Sequence, residues 1–302
     1  MSLYIVKPLT ITDTILSATD IPEADHAAWN SGTTYALADR VILVSTHKIY
    51  QSLQASNTNN PPASSPTWWV EVSPTNRWKP FDTSNSTQMT VTAASAYYEL
   101  TPGQAVNALA LLNVSANSAR VRVTDPAAGV VKDETYSLTG SILIADWFEY
   151  FFATVSALDQ LIVTDLPPYA LATLRVDFTA NGAGTVNCGV LLIGYQASFG
   201  RGIQYGASGG IQDYSRKETN QWGDTVLTQR AFARRRDWSL FVDNTEIDGL
   251  ERALIAVRAT PCLWVGYSGF ALTSIFGFYK DFEIVISYPE QSDCTLSIEG
   301  MT

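Results

Sequence analysis

The stretch ADWFEYFF places Asp146 and Glu149 three residues apart, beside Trp147 and Tyr150. On a helix, side chains at i and i+3 share a face. Two carboxylates held about 5–10 Å apart are the machinery of glycoside hydrolysis, and the neighbouring rings would serve as sugar platforms. The same residues also make an ordinary solvated rim around buried aromatics, and that is the expectation here. Other chemistry-bearing residues are sparse. His26 and His47 are the only histidines, with no cysteine near them in the chain, so each is expected on a surface loop. GASGG (206–210) has the glycines of a phosphate-cradling loop without its lysine, and reads as a linker. No nucleophile elbow, P-loop or zinc-protease motif occurs. The expectation is no enzyme, no catalytic residue, no metal site and no cofactor.

Aromatic residues carry more information. In SSPTWWVEV (64–72), Trp68 and Trp69 follow a turn-forming run rich in Asn, Pro and Ser. Neighbouring side chains on a strand face opposite sides, so only one of the two can enter a single-sided core. The other meets solvent, a sugar or a neighbouring subunit. Trp29, Tyr35 and Tyr50 lie just upstream and are expected to build a miniature core with the inner tryptophan. Sugar rings present apolar C–H faces that stack on exposed aromatics. The five residues are therefore the candidate carbohydrate-binding set.

Charge is uneven. The net charge is −10, which speaks against binding nucleic acid. Residues 200–262 hold nine Lys/Arg against eight Asp/Glu, and the rest of the chain ten against twenty-one. The run Arg234, Arg235, Arg236 causes much of this local excess. It reads as a solvated strand end or as a subunit interface that meets an acidic surface. Three scattered cysteines, Cys188, Cys262 and Cys294, make neither a disulfide framework nor a zinc site. MSLYIVKPLTITD lacks the layout of a secretory signal, and no apolar run reaches membrane-spanning length. A soluble protein made in a cytoplasm is expected.

The elements that must position these residues are mostly strands. Hydrophobic residues make up 46% of the 302 and charged residues 16%, and β-branched residues, Ser, Thr and Gly dominate. Turn signals separate four segments: a lead (1–21), a compact aromatic segment with its linker (22–80), a strand-rich segment (81–199) and an ending (200–302). Strands are expected within 3–15, at 40–44 and at 48–53. SARVRVTD (118–125) and ATLRVDFTA (172–180) alternate as half-buried strands do. NCGVLLIGYQ (187–196) is continuously apolar and suits a strand buried on both faces. Strands are also expected at 225–230 and 238–242. A helix is expected over about 245–258, capped by Asn244 or Thr245, with Ile247, Leu250, Leu254 and Val257 on one face and Pro261 as its stop. The fold class is mainly β and multi-domain.

Three resemblances extend this reading. AWNSGTTYALADRVILVSTHKIYQSLQASNTNNPPASSPTWWVEV resembles family 5/12 chitin-binding-type modules through Trp29, Tyr35, Asp39, Val41, Tyr50, Pro61/Pro62 and Trp68/Trp69. Ala38 stands where that pattern has glycine, and ASNTNN (55–60) where an aromatic is usual. NRWKPFD with YYELTPGQAVNALALLNVSANSARVRVTDP is similar to galactose-binding-like jelly rolls. GIQYGASGGIQDYSRKETNQWGDTVLTQRAFARRRDWSLFVDNTEIDGLERALIAVRATPCLWVGY, with FGFYKDFEIVISYPEQSDCTLSIEG, resembles tail-tip proteins of long-tailed bacteriophages. That likeness implies a β-sandwich with one flanking helix, assembled as a ring around the tail channel.

The implied protein is a structural component of a phage tail tip or baseplate, a distal-tail-like subunit in the virion. Its partners would be copies of itself, neighbouring tail proteins and a host cell-surface glycan. The alternative is a free polysaccharide-binding protein or a non-catalytic part of a glycan-degrading system.

Overall fold

A computed structural model describes residues 2–82, 84–140, 147, 157–219, 221–267 and 271–301. The chain is mainly β. Its largest element is a ten-stranded antiparallel sheet. Nine strands run in the order Gln160–Val163, Ala108–Ser115, Thr185–Phe199, Leu3–Pro8, Cys262–Val265, Ser274–Val285, Gln291–Gly300, Phe232–Asp243 and Ser208–Asp213. Met89–Thr92 pairs with Thr185–Phe199 as the tenth. A five-stranded sheet runs in the order Gly129–Ser137, Ser118–Asp125, Thr173–Thr179, Ser95–Leu100 and Leu16–Thr19.

Side-chain alternation explains why the central strands are apolar throughout. In Ala108–Ser115, Leu109 and Leu111 face the five-stranded sheet and join Tyr98, Val121, Val176 and Phe178 in one core. Ala108, Ala110 and Leu112 face the other way, into a second cluster with Val190, Leu192 and Phe276. Thr185–Phe199 is shared in the same manner, with Leu191 and Ile193 on one side and Val190 and Leu192 on the other. Such a strand has no polar face to show in its sequence.

The lead segment is a structural link. Leu3–Pro8 pairs with Thr185–Phe199 along one edge and with Cys262–Val265 along the other. It therefore joins the half of the sheet built from the 81–199 segment to the half built from 200–302. Leu3 and Ile5 enter the core of the second half, while Val6 enters the cluster on the opposite face. The approach to Thr185–Phe199 is so close that a Cβ on Gly194 would lie 2.3 Å from the Lys7 carbonyl oxygen. The sheet also curls over its second cluster. Asp159, next to the strand at one end, lies 3.4 Å from Arg234 on the second-last strand at the other.

The helix forms over Ile247–Ala256, with Leu250 and Leu254 buried against Trp238, Leu240 and Trp264. Its cap differs from expectation. Glu246 occupies the N-cap without a side-chain cap bond. Asn244 instead donates to the Tyr288 and Pro289 carbonyls and accepts from Ser292. Two further regions differ. Phe232–Asp243 is one long strand, longer than the expected 238–242, and the arginine run is its third to fifth residues, with Arg234 and Arg235 exposed and Arg236 buried. Gly209 and Gly210, expected in a linker, belong to the strand Ser208–Asp213, opposite Arg236 and Arg235. Among the described residues, no helix is long and apolar enough to cross a membrane.

Candidate functional site

The aromatic segment folds as a small unit on two short sheets. Arg40–Leu43, Lys48–Ser52 and Trp69–Pro74 form one, and Thr34–Tyr35 pairs with Asn57–Thr58 in the other. Tyr35, Val41, Tyr50 and Trp69 are its buried core, and Trp29, Leu43 and Trp68 pack against it from outside. The structure thus assigns the two adjacent tryptophans opposite places. Trp69 is 2% exposed. Its ring meets Tyr35 edge-on at 5.2 Å between centroids, and its Nε1–H donates to the Asn60 carbonyl at 2.8 Å. Trp68 is half-buried, as is Trp29, whose ring N–H is buried with no hydrogen-bond partner. The Tyr35 hydroxyl accepts the Asn30 N–H at 2.8 Å and so holds the chain after Trp29 against the core. Of the five candidate residues, Tyr35, Tyr50 and Trp69 are structural in this arrangement, and Trp29 and Trp68 retain outward surface.

Two departures from the chitin-module pattern acquire physical meaning. Ala38 has φ +70°, the left-handed region where glycine is at ease. The chain makes a left-handed turn at an alanine and carries the strain. Asp39 supports it by accepting the Ala36 N–H at 2.7 Å. Left-handed alanine costs about 1–2 kcal/mol, offset in part by the lower chain entropy of alanine in the unfolded state. Ala38→Gly is therefore expected to stabilise the module by about 0.5–1 kcal/mol, read as a higher denaturant midpoint. The second departure is ASNTNN. Asn57 is fully buried, donating to Ser52 Oγ at 3.0 Å and accepting from Asn60 Nδ2 at 2.8 Å. Amide hydrogen bonds organise the loop here. A run of asparagines suggests an exposed turn, so the sequence carries no signal for this buried role.

The arginine run does not act as one patch. Alternation along the strand sets Arg235 apart from Arg234 and Arg236, and depth in the sheet separates the other two. Arg234 lies 3.4 Å from Asp159, and Arg235 lies 3.0 Å from Asp237. Arg236 turns to the core side and is 7% exposed. Its Nη1 donates to the Arg235 carbonyl at 2.9 Å, and its Nε has no partner. Burial, reinforced by repulsion from Arg234, lowers its pKa below the usual arginine value.

Asp146, Glu149 and Tyr150 lie outside the described residues, and Trp147 is exposed. Cys188, Cys262 and Cys294 are buried free thiols, and burial pushes them up to about 12, about 12 and about 11. Among the described residues no group of three His, Cys, Asp or Glu side chains could hold a metal ion. His47, expected to be an ordinary surface residue, is instead largely buried between two carboxylates. No local pattern announces that arrangement, because both carboxylates come from segments distant in sequence.

The architecture is that of a mainly β protein whose small aromatic module is attached to a larger sandwich. No protein family, no curated protein and no solved structure matches the chain.

Proposed function

We propose that this chain is a structural subunit of a bacteriophage tail tip or baseplate, assembled as a homo-oligomeric ring, with the aromatic module directed toward host-surface carbohydrate. The observation that supports assembly is a projecting hairpin. Arg216–Thr219 pairs with Thr225–Thr228 in a two-stranded sheet of its own, and all eight strand residues are exposed. Leu227 is 72% exposed and Trp222, in its turn, 78%. A two-stranded hairpin without a core is marginal in water, and clustered exposed apolar side chains mark interaction surfaces. The adjoining strand Ser208–Asp213 is an open sheet edge with neither lysine nor proline to protect it. Hairpin and edge together present a surface suited to a neighbouring subunit. Arg234 and Arg235 already have acidic partners within the chain, so the hairpin carries the interface in this reading.

Removing residues 215–230 tests it. The Tyr214 N–H already donates to the Ala231 carbonyl at 3.2 Å, so the ends meet without strain. The shortened protein is expected to keep its circular dichroism and thermal transition but to run as a monomer in light scattering. The unaltered chain is expected to run as a ring-sized oligomer. A monomeric unaltered chain that is pulled down by insoluble polysaccharide would favour the free carbohydrate-binding protein.

A further inference from the structure

The module is held to the body by more than its two linkers, and one side chain gathers the contacts. His47 lies in the turn between Arg40–Leu43 and Lys48–Ser52, with φ +55°. Its Nδ1 is 3.0 Å from Glu23 Oε1, and its Nε2 is 3.0 Å from Asp13 Oδ1. The ring stacks on Trp78 with centroids 4.1 Å apart and planes 19° from parallel. The His47 carbonyl accepts the Thr75 N–H at 2.8 Å. Glu23 precedes the module, Thr75 and Trp78 follow it, and Asp13 lies in the body between the strands Leu3–Pro8 and Leu16–Thr19. The two linkers and the body thus converge on one imidazole.

Donor counting decides its chemistry. A neutral imidazole has one N–H and one lone pair, whereas the imidazolium has two N–H donors. With a carboxylate oxygen at each nitrogen, only the imidazolium satisfies both contacts. The neutral ring must turn its lone pair on one of them. We propose that His47 is a proton-dependent latch that holds the aromatic module against the body when charged and releases the Asp13 contact when neutral. This reading is independent of what the module binds.

The surrounding charges define which contact yields. Among the described residues, Asp13, Glu23 and Arg77 are the ionisable groups in contact with this cluster, and Arg77 Nη1 lies 3.8 Å from Glu23. Glu23, its side chain 7% exposed, also accepts from Thr75 Oγ1 at 2.8 Å and is fixed in place. Asp13 is 73% exposed and can turn into water. Loss of the proton therefore leaves the Glu23 side of the cluster intact and frees the body side. Protonation supplies the second N–H donor and its loss removes it, so the latch holds on the acid side and loosens toward the alkaline side.

Trypsin reads the latch, because the Arg77–Trp78 bond is a cleavage site in the second linker, whereas Lys79 is followed by Pro80 and is resistant. Proteolysis in the native state follows the population of the open form. Asp13→Asn removes one exposed carboxylate and leaves the fold unburdened. Compared at one pH, the Asn variant and the unaltered chain meet the same protease activity. The variant is expected to be cut about two to five times faster at about pH 6, with a ratio of one or below at about pH 8.5. Nitrogen NMR of the unaltered chain, which has two histidines distinguishable by a His26→Gln variant, should show both His47 ring nitrogens protonated at about pH 6. Equal cleavage ratios at the two pH values, or a neutral single-tautomer ring at the lower one, would overturn the proposal.

Discussion

Excising Leu3–Pro8 is expected to abolish cooperative folding in both halves of the ten-stranded sheet. The strand has partners on both edges, six residues against Thr185–Phe199 and three against Cys262–Val265. Its removal would uncover two open edges in the middle of the molecule. It would also withdraw Leu3 and Ile5 from one core and Val6 from another. Burying a side chain of this size contributes about 1.5–3 kcal/mol, so three contribute about 4.5–9 kcal/mol, comparable with the roughly 5–15 kcal/mol by which domains are stable. The lost backbone pairing adds to that. Thermal unfolding followed by circular dichroism should show no cooperative transition for the sheet, with exposed apolar surface that binds a hydrophobic dye. A milder variant, Ile5→Ala, should lower a single transition shared by both halves, since one strand serves both. Separate transitions, with only the 200–302 half destabilised, would show that the two halves fold independently.

That link is the part of the architecture least visible in the residue pattern. Period-two alternation identifies a strand and its inward face, and SARVRVTD forms the strand Ser118–Asp125 where the pattern places it. The helix is legible for the same reason, because Leu250 and Leu254 recur at helical spacing and are the residues buried. Alternation does not say which strand pairs with which. LYIVKP reads as a strand in isolation, yet its partners lie near residues 194–199 and 263–265. Local propensity also misdirects where pairing overrides it. The glycines at 209 and 210 suggest a linker, but the ladder to Phe232–Asp243 makes them an edge strand. Asn244 is a good cap by type, but the Tyr288 and Pro289 carbonyls claim its side chain. The same limit governs the site. Its aromatic set is readable as a set, whereas the division between inner and outer rings depends on where the last strand of the module enters. Trp69 opens that strand opposite Ser52, which turns its ring inward and leaves Trp68 outside. The His47 cluster is hidden for a stronger reason: Asp13, Glu23 and Trp78 meet it only in three dimensions.

The tryptophan pair supplies the second large effect. Trp69→Ala is expected to cost about 3–5 kcal/mol, the range for removing a buried aromatic side chain from a core. Three consequences combine in that loss. The ring leaves a cavity among Tyr35, Val41 and Tyr50, the edge-on contact with Tyr35 disappears, and the Asn60 carbonyl loses its donor. The cluster around Trp69 has four buried apolar residues among the described ones, so one deletion removes much of what holds that face of the module. The larger sandwich has its own clusters and should remain folded, so the melt should split into an early module transition and an unchanged main one. Trp68→Ala removes a ring that is only half-buried and should cost about 1 kcal/mol. Calorimetry of both variants, paired with pull-down on insoluble polysaccharide, separates folding from binding. Under the proposed function, Trp68→Ala keeps the module transition and loses the polysaccharide, whereas Trp69→Ala loses both. Equal and large destabilisation by the two substitutions would make Trp68 a second core residue and remove it as a surface for sugar.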